Sequence, residues 1–480
     1  MSKIKDFYVN GINAETGDYL VKPMTFKKLA RYALGEGEKP KPVVSHWMNA
    51  TLETITLGTY GLALGVDENA LAQTGWGIIF HSREDPAVRQ AFAPLIKHRL
   101  AQVGSPAKVK ELNYQDGEEY LDWLDRQGGA PGAIDPAKVP FYLLIVGSPE
   151  RIPFQFGFHL DMEYAVGRLH FEHVKEYEQY VASLIAYEQA DALPSAKEAV
   201  FFSTRHSFDR ATKLSNDGLS APLAGKPGAP GVAEENGFTS RSYLGAAALK
   251  ANLKQVLQPP AGAKLPSFLF TASHGMGWPT PATKKEEEQQ MENQGALLCQ
   301  DWPGGPPTPA QYFSAADLPA EANLQGMITF HFACFSAGTP RYDRFIHKQG
   351  QPPPQLASQA FLAALPKALL AHGCLASIGH VERAWGYSIA PSIGGPNILV
   401  FEDLIGGILQ GFRLGLVMRG FNDRYATYSV KTSSDLEKIQ TFGMTVPDEV
   451  LAKDWIQRND AEGYVIVGDP AVRLRVEKLT

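Results

Sequence analysis

The sequence predicts an α/β protein in which helices flank a mostly parallel sheet, preceded by a second α/β unit. Short apolar runs of strand length recur along the chain, and stretches with helical periodicity lie between them. Each run is apolar on both faces, which is typical of strands that helices cover on both sides. The length of 480 residues exceeds one typical core, so we expect two packed units or one large domain with insertions.

The individual elements follow from these patterns. The predicted strands cover residues 76–80, 141–146, 199–203, 267–272, 327–333, 374–378 and 464–467. One helix is predicted over residues 174–185, where apolar side chains recur at helical spacing. Another is predicted over residues 355–372, ending before Gly373, with Pro366 expected to kink or split it. A boundary before the strand at 199 divides the chain into units of residues 1–195 and 196–480.

Composition and charge exclude several classes of function. The formal net charge is −6 and no block of lysine and arginine is present, so no nucleic-acid partner is expected. The first residues carry no apolar stretch of the kind found in secretory signals, and no apolar run is long enough to span a membrane. The three cysteines, Cys299, Cys334 and Cys374, are too few for a disulfide framework and fit a reducing cytosol. We therefore expect a cytoplasmic protein.

Two predicted strands end in side chains that can carry chemistry. The strand over 267–272 leads into His274 and Gly275, and the strand over 327–333 leads into Cys334. Carboxyl ends of parallel strands meet at one edge of a sheet, so these side chains can meet although they lie far apart in sequence. A thiol beside an imidazole is the basis of nucleophilic catalysis, since the imidazole can take the thiol proton and return it to a leaving amine.

Backbone groups at the same strand ends have a possible role as well. The N–H groups near Gly275 and Cys334 are predicted to stabilise a developing oxyanion. His331 is closer to Cys334 in sequence, but three residues along a strand place the two side chains on opposite faces. A lone cysteine at a strand end is also a common small core residue, so the joint occurrence of both motifs carries the prediction.

At these residues the sequence resembles the caspase–gingipain superfamily of clan CD cysteine peptidases, and most of all the gingipain family. Further stretches match in the family's order: FYLLIVGSPERIP at 141–153, YAVGRL at 164–169, SIGHVERAWGYS at 377–388 and VGDP at 467–470. Ser148 stands where an aspartate is usual. The resemblance covers roughly residues 140–475 and makes residues 196–480 a caspase-like catalytic subdomain. It does not identify the acidic third catalytic residue.

The resemblance also implies substrate-binding residues. By position, Asp209 corresponds to the acidic residue that binds a P1 arginine or lysine in gingipains, through a charge-assisted hydrogen bond. The alternatives are a solvated loop aspartate or an ion pair with Arg205 or Arg210. Either arginine could instead face the pocket and favour an acidic P1 residue. Trp385 is implied to wall the cleft, and the alternative is a packed aromatic.

The sequence thus predicts an intracellular cysteine endopeptidase with a Cys334–His274 dyad, needing neither metal nor organic cofactor. Its expected partners are protein or peptide substrates and a possible regulatory protein. Two alternatives stay open: a catalytically silent caspase-fold scaffold, and a thiol acyltransferase or peptide ligase. A basic P1 preference would make Lys284-Lys285, in a predicted hydrophilic loop, a candidate self-processing site.

Overall fold

The computed structural model describes residues 7–35, 61–346, 351–389, 391–392, 395–396 and 398–480. Its centre is a ten-stranded sheet. The strands are β1 Trp76–His81, β2 Val109–Tyr114, β3 Tyr142–Val146, β4 Ala165–Leu169, β5 Ala196–Ser203, β6 Thr239–Leu244, β7 Pro266–Ala272, β8 Ile328–Phe332, β9 Ala376–His380 and β10 Tyr464–Gly468.

The sheet is almost entirely parallel. The order across it is β6-β5-β7-β8-β9-β10-β4-β3-β1-β2. Only β9 and β10 run antiparallel to each other, whereas the other neighbouring pairs are parallel. Helices flank the sheet, and the fold class predicted from the sequence is confirmed. Every predicted strand is present, within two residues of its predicted start, except that β5 begins three residues earlier.

Three strands were not predicted, and each has a physical reason. β2 and β6 form the two edges of the sheet, where exposed and half-buried polar side chains replace the two-sided apolar pattern. β4 is fully buried but contains Gly167 and Arg168, which interrupt its apolar pattern. The Arg168 guanidinium donates to the carbonyl oxygens of Ile152 and Pro153, so its polar groups are satisfied inside the protein.

One of the longer helices precedes β1 and the others lie between strands of the sheet. The longer helices are Phe26–Ala33, Ala93–Val103, Val174–Gln189, Lys250–Leu257, Lys284–Asn293, Ala364–Ala371, Leu399–Leu409, Arg419–Gln440 and Asp448–Gly463. Shorter helices are Leu71–Thr74, Pro86–Ala91, Tyr120–Arg126, Phe154–Leu160, Arg210–Ser215, Ala221–Ala224, Val232–Glu235 and Leu414–Val417. The prediction of a helix from residue 355 was wrong, because the helix begins only at Ala364. Pro366 lies in its first turn, where no intrahelical donor is needed, and therefore neither kinks nor splits it.

The two predicted units share one sheet. The predicted boundary lies in the connection between helix Val174–Gln189 and β5. However, β10 from the second unit pairs with β4 from the first, so the strands of both units form a continuous surface. The division into residues 1–195 and 196–480 stays a prediction about domains.

The first described part of the chain, residues 7–33, packs on the second unit; we call it the N-terminal segment. Its strand Gly11–Asn13 runs parallel to Gly275–Gly277 in a small four-stranded sheet. Its helix Phe26–Ala33 packs against helix Asp448–Gly463. Within the described ranges, no helix combines the length and apolarity needed to cross a membrane.

Candidate active site

Adjacent strands bring His274 and Cys334 to the same edge of the sheet. β7 and β8 pair in parallel with Ala272 opposite Phe332, and the Ser273 N–H donates to the Phe332 carbonyl oxygen at 3.2 Å. His274 follows β7 by two residues, and Cys334 follows β8 by two residues. Both side chains are completely buried. The strand geometry therefore delivers the two groups that the sequence singled out to one place.

The His274 imidazole is held by a carboxylate. Its Nε2 is hydrogen bonded to Asp209 Oδ2, and the other oxygen of Asp209 accepts a hydrogen bond from the Tyr19 hydroxyl. Asp209 also caps helix Arg210–Ser215, accepting from the N–H groups of Ala211 at 3.0 Å and Thr212 at 3.4 Å. With Nε2 protonated toward the carboxylate, Nδ1 is the free acceptor of the ring. Among the described residues, Nδ1 has no hydrogen-bond partner.

These contacts give Asp209 a partner that the sequence did not predict. The sequence placed this carboxylate at the base of a P1 pocket, or in an ion pair with Arg205 or Arg210. Both of its oxygens are instead engaged by His274 and Tyr19, and Arg205 pairs with Asp217 at 2.7 Å. Burial raises the pKa of Asp209, but the charge and hydrogen bond of His274 lower it more, so that the pKa lies well below its ordinary value. The group is an ionised partner of the imidazole.

The Cys334 thiol lies in a dry environment. Its Sγ contacts the carbonyl oxygen of Ala384 at 3.8 Å, and burial raises the pKa of the thiol above its ordinary value. Phe335, the next residue, adopts a left-handed backbone with φ of 58°, which residues other than glycine rarely do. Its N–H donates to the Glu382 carbonyl oxygen at 2.6 Å, a contact that holds the turn after the cysteine.

Two backbone N–H groups converge on a single oxygen beside the thiol. The N–H groups of Gly275 and Cys334 both donate to the carbonyl oxygen of Asn10, at 2.9 and 3.0 Å. These are the two groups for which the sequence suggested an oxyanion role. A Cβ on Gly275 would lie 1.8 Å from the Cys334 carbonyl oxygen, so only glycine lets the two loops approach this closely.

Trp385 lies in the core next to the N-terminal segment. Its side chain is buried and packs against Phe345, with ring centroids 4.4 Å apart and ring planes tilted by 41°. Its backbone also pairs antiparallel with Val9 of the N-terminal segment. Trp385 therefore borders the chain that lies over Cys334.

The remaining histidine and cysteines that the sequence analysis considered are buried in the core. His331 is buried, bonds Thr271 Oγ1 through Nδ1 at 2.8 Å, and burial lowers its pKa to about 3. Cys299 and Cys374 are buried, and burial raises the pKa of each thiol. Among the described residues, no group of three or more histidine, cysteine or acidic side chains is arranged to hold a metal ion.

Sequence reasoning missed three participants: Asp209 as the partner of His274, Tyr19 as a donor to Asp209, and Asn10 at the converging N–H groups. Asp209 precedes a short helix, which is a signal for an N-cap but not for a contact with a histidine 65 residues away. No local pattern distinguishes Tyr19 or Asn10, because their roles depend on how the N-terminal segment folds back onto the second unit.

Comparisons with known proteins find similar structures but no similar sequences. No family model and no curated protein matches the chain. The chain is similar to gingipain R (RGPB), described as an Arg specific cysteine proteinase, with a TM-score of 0.47, 12% identity, and 86% of this chain and 81% of that chain covered. It is similar to a complex of Porphyromonas gingivalis RgpB pro- and mature domains, with a TM-score of 0.45, 11% identity, and coverage of 84% and 80%. A Saccharomyces cerevisiae separase–securin complex gives a TM-score of 0.28, 9% identity, and coverage of 69% and 15%.

Proposed function

We propose that this chain is a cysteine endopeptidase in which Cys334 is the nucleophile and His274 the general base and acid. The observation that carries the proposal is the convergence of the Gly275 and Cys334 N–H groups on one carbonyl oxygen beside the thiol. Donors aimed at a single oxygen are what a tetrahedral acyl intermediate needs. The free Nδ1 of His274, on the ring that Asp209 holds, supplies a base.

The chemistry follows from these positions. Because burial raises the pKa of the Cys334 thiol, the thiolate is scarce at neutral pH and the proton must leave as the bond to the substrate carbonyl carbon forms. His274 Nδ1 takes this proton and then gives it to the departing amine. The N–H groups of Gly275 and Cys334 stabilise the oxyanion. Water then hydrolyses the thioester and restores the thiol.

Asp209 is a positioning residue in this scheme. Its carboxylate fixes the imidazole orientation and stabilises the imidazolium that forms during the reaction. The basic P1 preference predicted from the sequence then needs a carboxylate other than Asp209. A peptide library with varied P1 residues measures that preference directly.

Two other functions share parts of this site. A catalytically silent scaffold has no need for a thiol, an oriented imidazole and two converging N–H groups at one sheet edge, so the geometry favours the peptidase. A thiol acyltransferase or peptide ligase would form the same thioester and differ only in using an amine to resolve it. Product analysis with and without an added amine nucleophile separates hydrolysis from transfer.

The test is cleavage of a peptide library by purified protein and matched variants. Cys334→Ala and His274→Ala should each lower kcat/KM by about 10²-fold or more, and the double variant should lose little beyond either one. Cys299→Ala removes an equally buried thiol and serves as the control, with activity retained. Equal activity in wild type and Cys334→Ala would refute the proposed nucleophile.

A further inference from the structure

The N-terminal segment crosses the candidate site as two paired stretches of chain, which meet at a bend at Asn10. Before Asn10 it pairs with one wall: the Asn10 N–H donates to the Ala384 carbonyl oxygen at 3.0 Å, and the Gly386 N–H donates to the Tyr8 carbonyl oxygen at 3.2 Å. After Asn10 it pairs with the other wall, where Gly11–Asn13 runs parallel to Gly275–Gly277. Backbone hydrogen bonds on both sides of a central residue are how a sheet edge holds an extended peptide.

One peptide bond of this chain lies over the reacting groups. The Asn10 carbonyl oxygen accepts from the N–H groups of both Gly275 and Cys334. The next residue, Gly11, is so close to the thiol that a Cβ on it would lie 2.8 Å from Cys334 Sγ. The bond between Asn10 and Gly11 therefore occupies the place that a scissile bond would take.

We propose that the N-terminal segment is an internal substrate that blocks the site, and that the enzyme cuts itself between Asn10 and Gly11. The inference rests on the proposed peptidase function. Cys334 Sγ attacks the Asn10 carbonyl carbon, the bond to the Gly11 nitrogen breaks, and the thiol proton passes through His274 to that nitrogen. Water then hydrolyses the Asn10 thioester, leaving a carboxylate on Asn10, an amine on Gly11 and a free thiol.

The two residues at this bond also indicate a substrate class. The Asn10 side chain is completely buried, and its amide nitrogen and oxygen have no hydrogen-bond partner among the described residues. An uncharged amide is tolerated there at a smaller desolvation cost than an unpaired arginine or lysine would be. At Gly11 a Cβ would lie 2.8 Å from Cys334 Sγ, so the thiol leaves room for glycine at this position. The site thus accepts an uncharged residue followed by glycine.

The sequence pointed to a different self-processing site. Lys284 and Lys285 were expected in a hydrophilic loop, but they are the first residues of helix Lys284–Asn293. Thr283 and Glu286 form a capping box at the N-terminus of this helix. A helical backbone must unwind before it can lie extended in a cleft. This helix makes Lys284-Lys285 a poor candidate, whereas the bond after Asn10 lies outside any helix and beside the reacting groups.

The first measurement is intact mass spectrometry of the full chain over time. The wild type should separate into residues 1–10 and a chain that starts at Gly11, at a rate independent of protein concentration because the reaction is intramolecular. Cys334→Ala should stay whole, and it also controls for spontaneous breakage of the Asn-Gly bond. Gly11→Ala should stay whole at this bond because the added Cβ displaces the segment. Gly218→Ala, where the nearest atom to the added Cβ lies at 3.6 Å, is the matched glycine control and should be cut like wild type.

The second measurement reports access to the thiol without requiring catalysis. Iodoacetamide labelling of Cys334 is compared between His274→Ala and the double variant His274→Ala/Gly11→Ala, with thermal unfolding confirming that both fold. The double variant should react at least about tenfold faster, equivalent to about 1.4 kcal/mol of segment docking. Equal rates would show that the segment does not cover the thiol in solution and would overturn the inference.

The outcomes separate this inference from the proposed function. Hydrolysis of a blocked peptide with the sequence of residues 8–13 by Gly11→Ala, together with an uncut wild-type chain, overturns self-cleavage while the peptidase stands. No hydrolysis by any variant, with faster labelling in the double variant, overturns the peptidase and self-cleavage with it. Cleavage of wild type alone at Asn10–Gly11 supports both.

Discussion

Replacing Asp209 by asparagine tests the positioning role with little disturbance of the fold. Asparagine is as good an N-cap as aspartate, so helix Arg210–Ser215 should keep its cap and the unfolding temperature should stay near that of wild type. The substitution acts on the imidazole. An amide NH₂ facing Nε2 favours the tautomer with the proton on Nδ1, and that nitrogen then cannot accept the thiol proton.

The size of the loss follows from the step that is impaired. General acid–base catalysis contributes about 10²- to 10⁴-fold to a rate, which corresponds to about 2.7 to 5.4 kcal/mol of transition-state stabilisation. We expect kcat/KM to fall by an amount in this range, with the fall in kcat rather than a rise in KM. The fall should be similar for every P1 residue, because the imidazole serves all substrates.

The assay is steady-state hydrolysis of matched peptides that differ only at P1, in a chain whose site is open, such as Gly11→Ala. Asp217→Asn is the control, since Asp217 is exposed, pairs with Arg205 and leaves kcat and KM unchanged if only the His274 contact matters. A loss confined to substrates with arginine or lysine at P1, and seen mainly in KM, would refute the positioning role and restore Asp209 to a P1 pocket.

Further predictions concern stability. Burial lowers the pKa of His331 to about 3 from an ordinary value of 6.5, so its contribution to stability is complete above about pH 6.5 and is lost as the pH falls toward 3. Urea denaturation measures the free energy of unfolding at about pH 7 and about pH 5. Between these pH values it should fall by about 2 kcal/mol more in wild type than in His331→Asn, and an equal fall in both proteins would contradict the lowered pKa of His331. Asp469→Ala should destabilise the protein by about 1–3 kcal/mol. It removes the carboxylate that the fully buried Arg99 contacts at 2.8 Å, so that Glu188 is left as its carboxylate partner, and it leaves the buried Trp76 N–H without its acceptor; Asp217→Ala is the exposed control.

The parts of the fold that could be predicted are those whose residues reflect their surroundings. The inner strands β1, β3, β5, β7, β8, β9 and β10 are apolar on both faces because helices cover them, and the pattern is visible in the sequence. The edges β2 and β6 were not predicted because one side meets solvent. β4 was missed because Arg168 interrupts its apolar run while finding its partners in carbonyl groups that no local pattern reveals.

The candidate site also contains residues whose positions could be predicted from the sequence and residues whose positions could not. His274 and Cys334 stand at the ends of strands whose pairing the sequence implies, so their meeting could be predicted. The role of Asp209 depends on which way a loop turns after β5, and the contact of Tyr19 depends on residues 7–33 returning to the second unit. The resemblance to gingipains assigned Asp209 by its position in the motif alone, and position could not show that both its oxygens were already in use.

The place of β10 in the sheet has a consequence for the order of events during synthesis. Among the described strands, β10 alone joins the two halves of the sheet. It pairs with β9 on one side and with β4 on the other, although β4 precedes it by about 300 residues. All the other strands of the sheet therefore leave the ribosome before β10 can pair with β4 and β9 and connect the two halves. Until residue 468 emerges, the edges of β4 and β9 expose unpaired backbone groups, which are templates for misassociation. We expect the exposed edges of β4 and β9 in the nascent chain to need protection from misassociation during this interval. Any peptidase activity should appear only after β10 has been translated.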